Sequence, residues 1–311
     1  MQKIDRVETN CDLCGDRSFW LIAKEQKTHA QIVCCRTCGL LYTNPRYSDD
    51  QINQFYEDEF DGDPGSNQKI IENSGIPTKK VEAEMTRCLN SLSLLKKHLN
   101  PKSKIGLSLR FGLGSMPYLL RQEGALMYGL DYFEENRNHA ALTYQVENLK
   151  LASPVNFHLL SQHFPQKFDF IEGLTIHTAS HVLSIRKLLE EIYKLLNPNG
   201  YLFLDEKEIF QPTRFYGNSI FDSGPHHFYF LSKIMLLSYL ESTGFEIVKC
   251  QINPYRQTAF KHIFIVARKK TSLHQYNSQI MQRPHYARSV RLQTKLLALA
   301  WPLKRIAQQL P

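Results

Sequence analysis

The stretch KIGLSLRFGLGSMPYLLRQEGALMYGLD, Lys104 to Asp131, decides how this chain folds. Its pattern predicts a buried strand over Ile105–Leu109, a glycine-containing loop, a helix with Pro117 in its first turn and Gly124 at its end, and a second apolar strand. This order of strand, loop, helix and strand indicates a parallel α/β sheet. We therefore expect the upstream residues to form an attached module and the downstream residues to complete one sheet.

The loop and the end of the second strand carry residue types typical of a ligand site. Gly112 and Gly114 allow a sharp turn and a close approach of a ligand to the backbone. Asp131 ends the second strand, where a carboxylate can accept hydrogen bonds from both hydroxyl groups of a ribose. The alternative is a loop that merely closes a turn, as in any doubly wound domain. A lone glycine pair leaves these two interpretations level.

Length and composition indicate one sizeable α/β domain with a small appendage. The chain has 311 residues, against roughly 150 for a typical domain, and 42% of them are hydrophobic. The N-terminus is polar, and no apolar run approaches the roughly 18 residues needed to span a bilayer. Seven cysteines, an odd number, do not favour a secreted disulfide framework. We therefore expect a cytoplasmic protein.

The net charge of +8 is concentrated at the C-terminal end. Residues 247–311 contain 12 lysines and arginines and no acidic residue. The first 246 residues contain the other 26 basic residues and all 30 acidic residues. Basicity is thus a property of the tail. A nucleic-acid-binding function loses its main support, and we expect no nucleic-acid partner.

Two Cys-x-x-Cys pairs form the most specific motif in the chain. Cys11 and Cys14 are separated from Cys35 and Cys38 by 20 residues, a spacing typical of a four-cysteine zinc site. Four thiolates complete a tetrahedral shell and leave no position for water, so the predicted Zn²⁺ is structural. A pair of disulfides or a set of free thiols is the alternative.

Downstream of the cysteines, a polar linker precedes a series of alternating elements. Val81–Leu99 has apolar residues at helical spacing and should pack against the sheet. Strands that alternate with helices indicate a parallel sheet covered on both faces, with an antiparallel pair at one edge. The predicted elements after Asp131 are helices at Glu134–Tyr144, Leu183–Leu196 and Ser232–Ser242, strands at Val155–Leu159, Phe168–Leu174 and Tyr201–Leu204, and edge strands at Phe245–Ile252 and Phe260–Ala267.

Several short segments carry a family resemblance. Besides the cysteine pairs they are CGLLYTNPR at Cys38–Arg46, YGLD at Tyr128–Asp131, FDFIEGLTIH at Phe168–His177, LNPNGYLFL at Leu196–Leu204, HFYFLS at His227–Ser232 and GFEIV at Gly244–Val248. With these segments in this order, the sequence resembles the class I S-adenosylmethionine-dependent methyltransferases, in the subgroup with an N-terminal four-cysteine module. The resemblance covers roughly residues 11–268.

The resemblance implies a fold, a cofactor and a place for each. The fold is a doubly wound, mostly parallel seven-stranded sheet of Rossmann-like type, and the cofactor is S-adenosylmethionine. The loop with Gly112 and Gly114 would hold the methionine part, and Asp131 would hold the ribose. The substrate would enter over the carboxyl ends of strands four and five.

Three positions depart from the family pattern. Ser108 stands where the family has an acidic residue, and Arg110 stands where it has the first loop glycine. Ser180 replaces the glutamate of the family's His-x-x-Glu-His-Val. A hydrogen bond to a charged group contributes roughly 1.5–3 kcal/mol, so each lost acid should weaken cofactor binding about tenfold to a hundredfold. Arg110 would occupy the path of the cofactor or favour an anionic ligand. Both Ser108 and Arg110 count among the predicted cofactor-binding residues.

Candidate catalytic residues follow the predicted fourth and fifth strands. Methyl transfer needs an acceptor in line with the methyl group and often a base. His177 is the first candidate base, although a polar loop residue is about as common there. His227, with its neighbour His226, lies in the segment where substrate-facing loops belong, and His181 is expected to cap or pack the next helix. The pair Asp205–Glu206 could bind acceptor hydroxyls or be solvated.

The tail carries an apolar stripe beside basic residues. Leucine or isoleucine recurs at positions 292, 296, 299, 303, 306 and 310, with Lys295, Lys304 and Arg305 beside it. The stripe predicts a helix that docks on its own domain or a partner subunit, or lies on an anionic membrane surface. These two possibilities are level.

Two functions remain open at this point. The first is methyl transfer from S-adenosylmethionine to a small or sugar-like acceptor, which makes the protein an enzyme. The second is a non-catalytic relative that keeps the fold for binding or scaffolding, suggested by Ser108, Arg110 and Ser180. The predicted segments are a zinc module at 1–46, a linker at 47–80, a Rossmann-like domain at 81–270 and a basic helical tail at 271–311.

Overall fold

The computed structural model describes residues 5–24, 30–62, 79–175, 178–212, 221, 227–253, 260–271 and 283–307. Its helices are α1 (Asp49–Gly62), α2 (Lys79–Leu95), α3 (Ser115–Gln122), α4 (Glu134–Tyr144), α5 (Leu160–His163), α6 (Ile185–Leu195), α7 (Lys233–Ser242) and α8 (Pro284–Ala307). Its strands are β1 (Arg6–Val7), β2 (Phe19–Lys24), β3 (Gln31–Cys35), β4 (Leu41–Thr43), β5 (Arg46–Tyr47), β6 (Ile105–Leu109), β7 (Leu126–Asp131), β8 (Leu149–Leu151), β9 (Phe168–Gly173), β10 (Leu196–Pro212), β11 (Tyr229–Phe230), β12 (Phe245–Asn253) and β13 (Phe260–Lys269).

Seven strands form a central sheet in the order β12-β13-β10-β9-β6-β7-β8. The neighbours from β10 to β8 pair in parallel, and β13 pairs antiparallel with both of its neighbours. β6 lies between β7 and β9, so the chain leaves β6 toward one side of the sheet and later returns on the other. A crevice for a ligand opens at such a reversal. The predicted doubly wound, mostly parallel seven-stranded α/β sheet is confirmed.

Helices cover the sheet because their apolar residues recur at helical spacing. In α6, Ile185, Leu188 and Ile192 follow three- and four-residue steps and are buried. Ser184 caps this helix, since its side chain accepts a hydrogen bond from Lys187 N at 3.2 Å. The amphipathic sequence therefore fixes which side of α6 faces the core.

The predicted third strand is wrong in position. β8 covers Leu149–Leu151 and pairs in parallel with β7, with Gly129 opposite Leu149. The predicted strand Val155–Leu159 is instead a turn that buries Phe157 completely. An apolar run this short does not distinguish a strand from a turn that places one aromatic ring in the core.

The N-terminal module shares a sheet with the larger domain. β2, β3 and β4 form an antiparallel sheet, which β11 extends in the order β11-β4-β3-β2. β11 comes from the segment after β10, and its Tyr229 pairs with Tyr42 of the module. The shared strand joins the two parts through backbone hydrogen bonds.

Asp12 forms a second connection between the module and the larger domain. Its carboxylate accepts hydrogen bonds from Ser184 Oγ at 2.6 Å, Arg186 N at 3.2 Å and Tyr239 Oη at 3.0 Å. These partners belong to the first turn of α6 and to α7. The loop between the first two cysteines is therefore bonded to the helical layer.

The stretch after the module contains a helix. α1 occupies part of the predicted linker at 47–80, and it packs on the domain through Ile52 and Tyr56, which are buried. The four predicted segment boundaries stay predictions.

The C-terminal helix α8 is present, and its first half packs on the module. Val290 contributes to a buried cluster with Ile32 and Phe230, and Arg283 N donates to Thr37 O at 2.8 Å. Position 310 of the predicted stripe lies outside the described residues. Among the residues that the structure describes, no helix is long and apolar enough to cross a membrane.

Candidate active site

The loop after β6 turns through the left-handed region at three positions. Arg110, Gly112 and Gly114 have φ angles of 52°, 58° and 93°. A Cβ atom at Gly114 would lie 2.4 Å from the Cβ atom of Ala140 in α4, so only glycine fits there. Arg110 lacks the freedom of glycine, and such a conformation costs roughly 1–3 kcal/mol. The loop thus makes the predicted sharp turn, and a non-glycine residue, Arg110, adopts a positive φ angle in it.

Asp131 ties this loop to the end of β7. Its Oδ2 accepts a hydrogen bond from Gly112 N at 3.0 Å, and its Oδ1 accepts from Tyr132 N at 2.7 Å and Asn136 Nδ2 at 3.1 Å. The side chain is 1% exposed. Burial raises the pKa of the carboxyl group, and the charge of Arg110 opposes that rise. Asp131 therefore stabilises the loop itself, and its predicted contact with a ribose stays a prediction.

Arg110 lies buried beside the same carboxylate. Its guanidinium carbon is 4.8 Å from the centre of the Tyr132 ring, and the residue is 5% exposed. Within the described part of the chain, Nε and Nη1 are buried without a hydrogen-bond partner. The ring of Tyr132 and the charge of Asp131 are thus the interactions that hold this cation.

A carboxylate from α2 occupies the inside of the glycine loop. Glu84 Oε1 accepts hydrogen bonds from Leu113 N at 3.1 Å and Ser115 Oγ at 3.0 Å. Glu84 is buried, which raises its pKa, while these two hydrogen bonds lower it. Amides and hydroxyls at a helix N-terminus are donors for an anionic group of a ligand. Here the chain supplies its own carboxylate to them.

A second buried acid lies beside Ser108. Ser108 in β6 is the register partner of Glu172 in β9. The hydroxyl of Ser108 donates to Glu172 Oε1, and Leu174 N donates to Glu172 Oε2 at 2.8 Å. Burial raises the pKa of Glu172 to about 7. A carboxylate is therefore present next to position 108, but it comes from the adjacent strand.

Replacing Glu172 with glutamine is expected to remove a pH dependence of stability. The pKa of about 7, against an ordinary 4.5, means that the folded chain keeps a proton which the unfolded chain has released. The free energy of unfolding should therefore fall by about 3 kcal/mol as pH rises from about 4.5 to 7. Glu172→Gln stays neutral, so it should lose this part of the pH dependence and be more stable than the wild type at about pH 8.

Urea denaturation at about pH 5 and pH 8 measures this difference. Glu147→Gln, an exposed acid on the same domain, is the matched control and should keep the wild-type dependence. Identical profiles for the wild type and Glu172→Gln would contradict the expected titration.

A pocket of about 550 Å³ opens above the carboxyl ends of β7 and β8. One wall is α1, which contributes Asn53, Tyr56 and Glu57, and the other consists of the loops after the two strands. The Tyr56 ring packs edge-on against Tyr132, with ring centres 5.1 Å apart. Phe133 also lines the pocket. The polar stretch after the module thus builds one side of the site.

Two histidines and a tyrosine meet near this pocket. The ring centres of His181 and His227 are 4.3 Å apart, and Tyr56 Oη lies 3.4 Å from His181 Nδ1. Thr43 of β4 holds the histidine segment, since its Oγ1 donates to His227 O at 3.1 Å. His181, expected to cap or pack the next helix, is buried beside the predicted His227 and Tyr56 in a cluster of titratable groups.

The other predicted residues near the acceptor side have different positions. His177 and His226 lie outside the described residues. Asp205 and Glu206 are completely buried. His262 Nδ1 pairs with Asp205 Oδ1 at 2.5 Å, and a backbone N–H donates to Glu206 Oε1 at 2.7 Å. These two carboxylates are not solvated, and they bind groups inside the fold.

The four cysteines of the N-terminal module converge on one point. All four Sγ atoms lie within 4.8 Å of one another. Cys11 and Cys38 have their sulfurs 3.5 Å apart, and Cys14 and Cys35 have theirs 3.4 Å apart. These distances exceed the roughly 2.05 Å of a disulfide and are close to the roughly 3.8 Å between thiolates around one Zn²⁺. The donor set fits a single tetrahedral metal ion.

The domain that carries the central sheet matches a known protein family. A family model described as a methyltransferase domain matches residues 79–250, which is more than half of the chain. The chain belongs to this methyltransferase family. Its predicted membership is thereby confirmed, while the zinc-binding subgroup remains a prediction.

Solved structures show the same fold for the methyltransferase domain. The 1,6-didemethyltoxoflavin-N1-methyltransferase of Burkholderia thailandensis, with bound 1,6-didemethyltoxoflavin and S-adenosylhomocysteine, is 17% identical with a TM-score of 0.51, covering 80% of this chain and 100% of its own. The magnesium protoporphyrin IX methyltransferase of Synechocystis PCC 6803, with bound S-adenosylmethionine, is 16% identical with a TM-score of 0.50, covering 70% of this chain and 97% of its own. No curated protein matches the sequence. At these identities the likeness establishes the fold alone.

Sequence reasoning missed three residues of the candidate site. Glu84 lies in a helix whose only signal is apolar periodicity, and Tyr56 lies in a stretch that is merely polar. Glu172 was part of a strand motif, but only the sheet register reveals its contact with Ser108. No local signal could have found the first two.

Proposed function

We propose that this protein binds S-adenosylmethionine and transfers its methyl group to a small or sugar-like acceptor. The observation that supports this best is the pocket of about 550 Å³ above the carboxyl ends of β7 and β8, on the side of the sheet next to the strand reversal at β6. Such a crevice is where open α/β sheets bind their ligands. The bound molecules of the two similar structures agree with this chemistry but belong to those proteins.

The residues around the pocket fit the adenosine part of the cofactor better than its methionine part. Tyr132 and Phe133 offer aromatic surface for adenine, and Asp131 lies at the strand end next to them. The donors of the glycine loop are already bonded to Glu84. When bound, S-adenosylmethionine supplies an electrophilic methyl group. The chain's own contribution is to orient that molecule and the acceptor.

The cluster of Tyr56, His181 and His227 is the best candidate for acceptor chemistry. A histidine there could take a proton from an acceptor hydroxyl or amine. His181 Nδ1 lies near Tyr56 Oη, and the ring of His227 packs beside it. His177, four residues before His181 in the sequence, remains a predicted base.

A structural Zn²⁺ bound by Cys11, Cys14, Cys35 and Cys38 would support this cluster. The metal would fix the turn before β2 and the turn after β3, and β3 pairs with β4. β4 in turn pairs with β11 and contacts His227 through Thr43. The four-cysteine module would thus set the position of a residue in the acceptor site.

The alternative function is a non-catalytic methyltransferase relative. Two observations favour it. Glu84 is bonded to the loop donors, and Arg110 lies where the family has a glycine. Either group would have to move before the methionine part of the cofactor could bind as the resemblance implies.

Calorimetry with S-adenosylmethionine and S-adenosylhomocysteine distinguishes the two functions. The wild type is expected to bind weakly. Arg110→Gly should bind about tenfold to a hundredfold more tightly, because it removes both a bulky cation and the left-handed strain. Arg110→Lys, which keeps a cation and the strain, is the control and should stay weak. If neither ligand binds the wild type or Arg110→Gly at millimolar concentration, the protein is a non-catalytic methyltransferase relative.

A further inference from the structure

The C-terminal helix α8 has two faces with different surroundings. Ala287, Val290 and Thr294 are buried, and Val290 packs in one cluster with Ile32 and Leu41 of the four-cysteine module. Leu292 and Leu296 are 59% and 55% exposed. At 3.6 residues per turn, these leucines lie about half a turn away from the buried residues. The helix therefore docks by one side and turns Leu292 and Leu296 away from the domain.

The exposed leucines begin a longer pattern, which we call the outer stripe. It consists of Leu292 and Leu296 on the exposed face, and the sequence continues the same spacing with leucine or isoleucine at positions 299, 303 and 306. Arg288 and Lys295 are exposed and lie four residues before and three residues after Leu292, hence on the same face. Residues 247–311 contain no acid that could pair with them.

We propose that the outer stripe docks α8 on an anionic lipid surface. An apolar face flanked by cations is the pattern of a helix that lies in the plane of a membrane interface. The leucines would enter the acyl boundary while Arg288 and Lys295 approach the lipid phosphates. The docked face already holds the helix on the module, so the rest of the chain would be carried to that surface. This attachment does not depend on methyl transfer.

Charge disfavours the other possible occupants. A two-fold contact with a second copy would bring Arg288 and Lys295 together with the same residues of that copy, and like charges repel. A nucleic acid would satisfy the cations but leave the leucines in water. A lipid surface would bury the leucines and also pair with the cations.

Vesicle flotation of the full chain tests this attachment. The probes are vesicles of phosphatidylcholine alone and of phosphatidylcholine with an equal amount of phosphatidylglycerol. We expect recovery only with the anionic vesicles. The double variant Leu292→Ser/Leu296→Ser should bind them about tenfold or more weakly. The double variant Arg288→Gln/Lys295→Gln should lose about tenfold at low salt.

Leu142→Ser is the matched control, because Leu142 of α4 is 80% exposed but lies outside the stripe. It should float like the wild type, and all variants should keep the wild-type melting temperature because each altered side chain is exposed. Equal recovery with both vesicle types would overturn the proposal. So would light scattering that shows a dimer which the leucine variant dissociates, or retention on a nucleic-acid duplex in place of vesicles.

Discussion

Metal chelation is expected to unfold the four-cysteine module and to destabilise the methyltransferase domain with it. The purified chain should contain one Zn²⁺, and Cys35→Ser should lose it. A structural Zn²⁺ site contributes roughly 10–16 kcal/mol to the folding of a module this small, which exceeds what its short strands can supply. Without the metal, the turns that carry Cys11 and Cys35 have no common anchor.

The loss should spread because the module is bonded to the domain at three places. Its β4 pairs with β11, Asp12 accepts hydrogen bonds from α6 and α7, and its Ile32 and Leu41 pack in one buried cluster with Ile209 of β10. We expect the melting temperature of the domain to fall by roughly 10 °C or more, given about 2–4 °C for each kcal/mol in a chain of this size. Calorimetry and elemental analysis on the same sample measure both quantities.

Two variants separate the metal from the contacts. Cys250→Ser changes a half-buried thiol on β12, outside the four-cysteine cluster, and should keep both metal and stability. Asp12→Ala should keep the metal but still lower the melting temperature, because the hydrogen bonds to Ser184 and Tyr239 are lost. An apo-protein that melts at the wild-type temperature would show that the two parts fold independently.

Asp131→Ala is expected to destabilise the protein by about 3–5 kcal/mol before any cofactor is added. The substitution leaves the backbone N–H groups of Gly112 and Tyr132 and the amide of Asn136 without their acceptor. It also leaves the guanidinium of Arg110 buried without an opposite charge. Urea denaturation of the ligand-free protein measures the loss.

A double-mutant cycle identifies the contribution of the charge. In an Arg110→Gly background, Asp131→Ala should cost at least about 1 kcal/mol less, because no cation is left unpaired. Glu147→Ala, an exposed acid on the same domain, should be within about 0.5 kcal/mol of the wild type. If Asp131→Ala has wild-type stability and loses only S-adenosylmethionine binding, the carboxylate is purely a ligand group.

The sheet and the four-cysteine cluster could be predicted because each depends on local patterns. Alternating apolar runs and helical stripes fix strand and helix identity, and the strand–loop–helix–strand unit around Gly112 fixes the parallel order. The spacing of two Cys-x-x-Cys pairs brings four thiols within reach of one ion. The error at Val155–Leu159 arose where a short apolar run carried no periodicity.

Other features were decided by tertiary contacts. The burial of Asp131 and the placement of Glu84 in the glycine loop depend on how α2 and α4 pack against the loop after β6, which no local pattern encodes. The partnership of Ser108 with Glu172 depends on register across 64 residues of chain. The sequence alone determined that the tail is a basic, leucine-striped helix. Only packing decided that small residues of this helix are buried and that Leu292 and Leu296 face outward. The buried side of a helix is the side that fits closely against its neighbour, even where another side is more apolar.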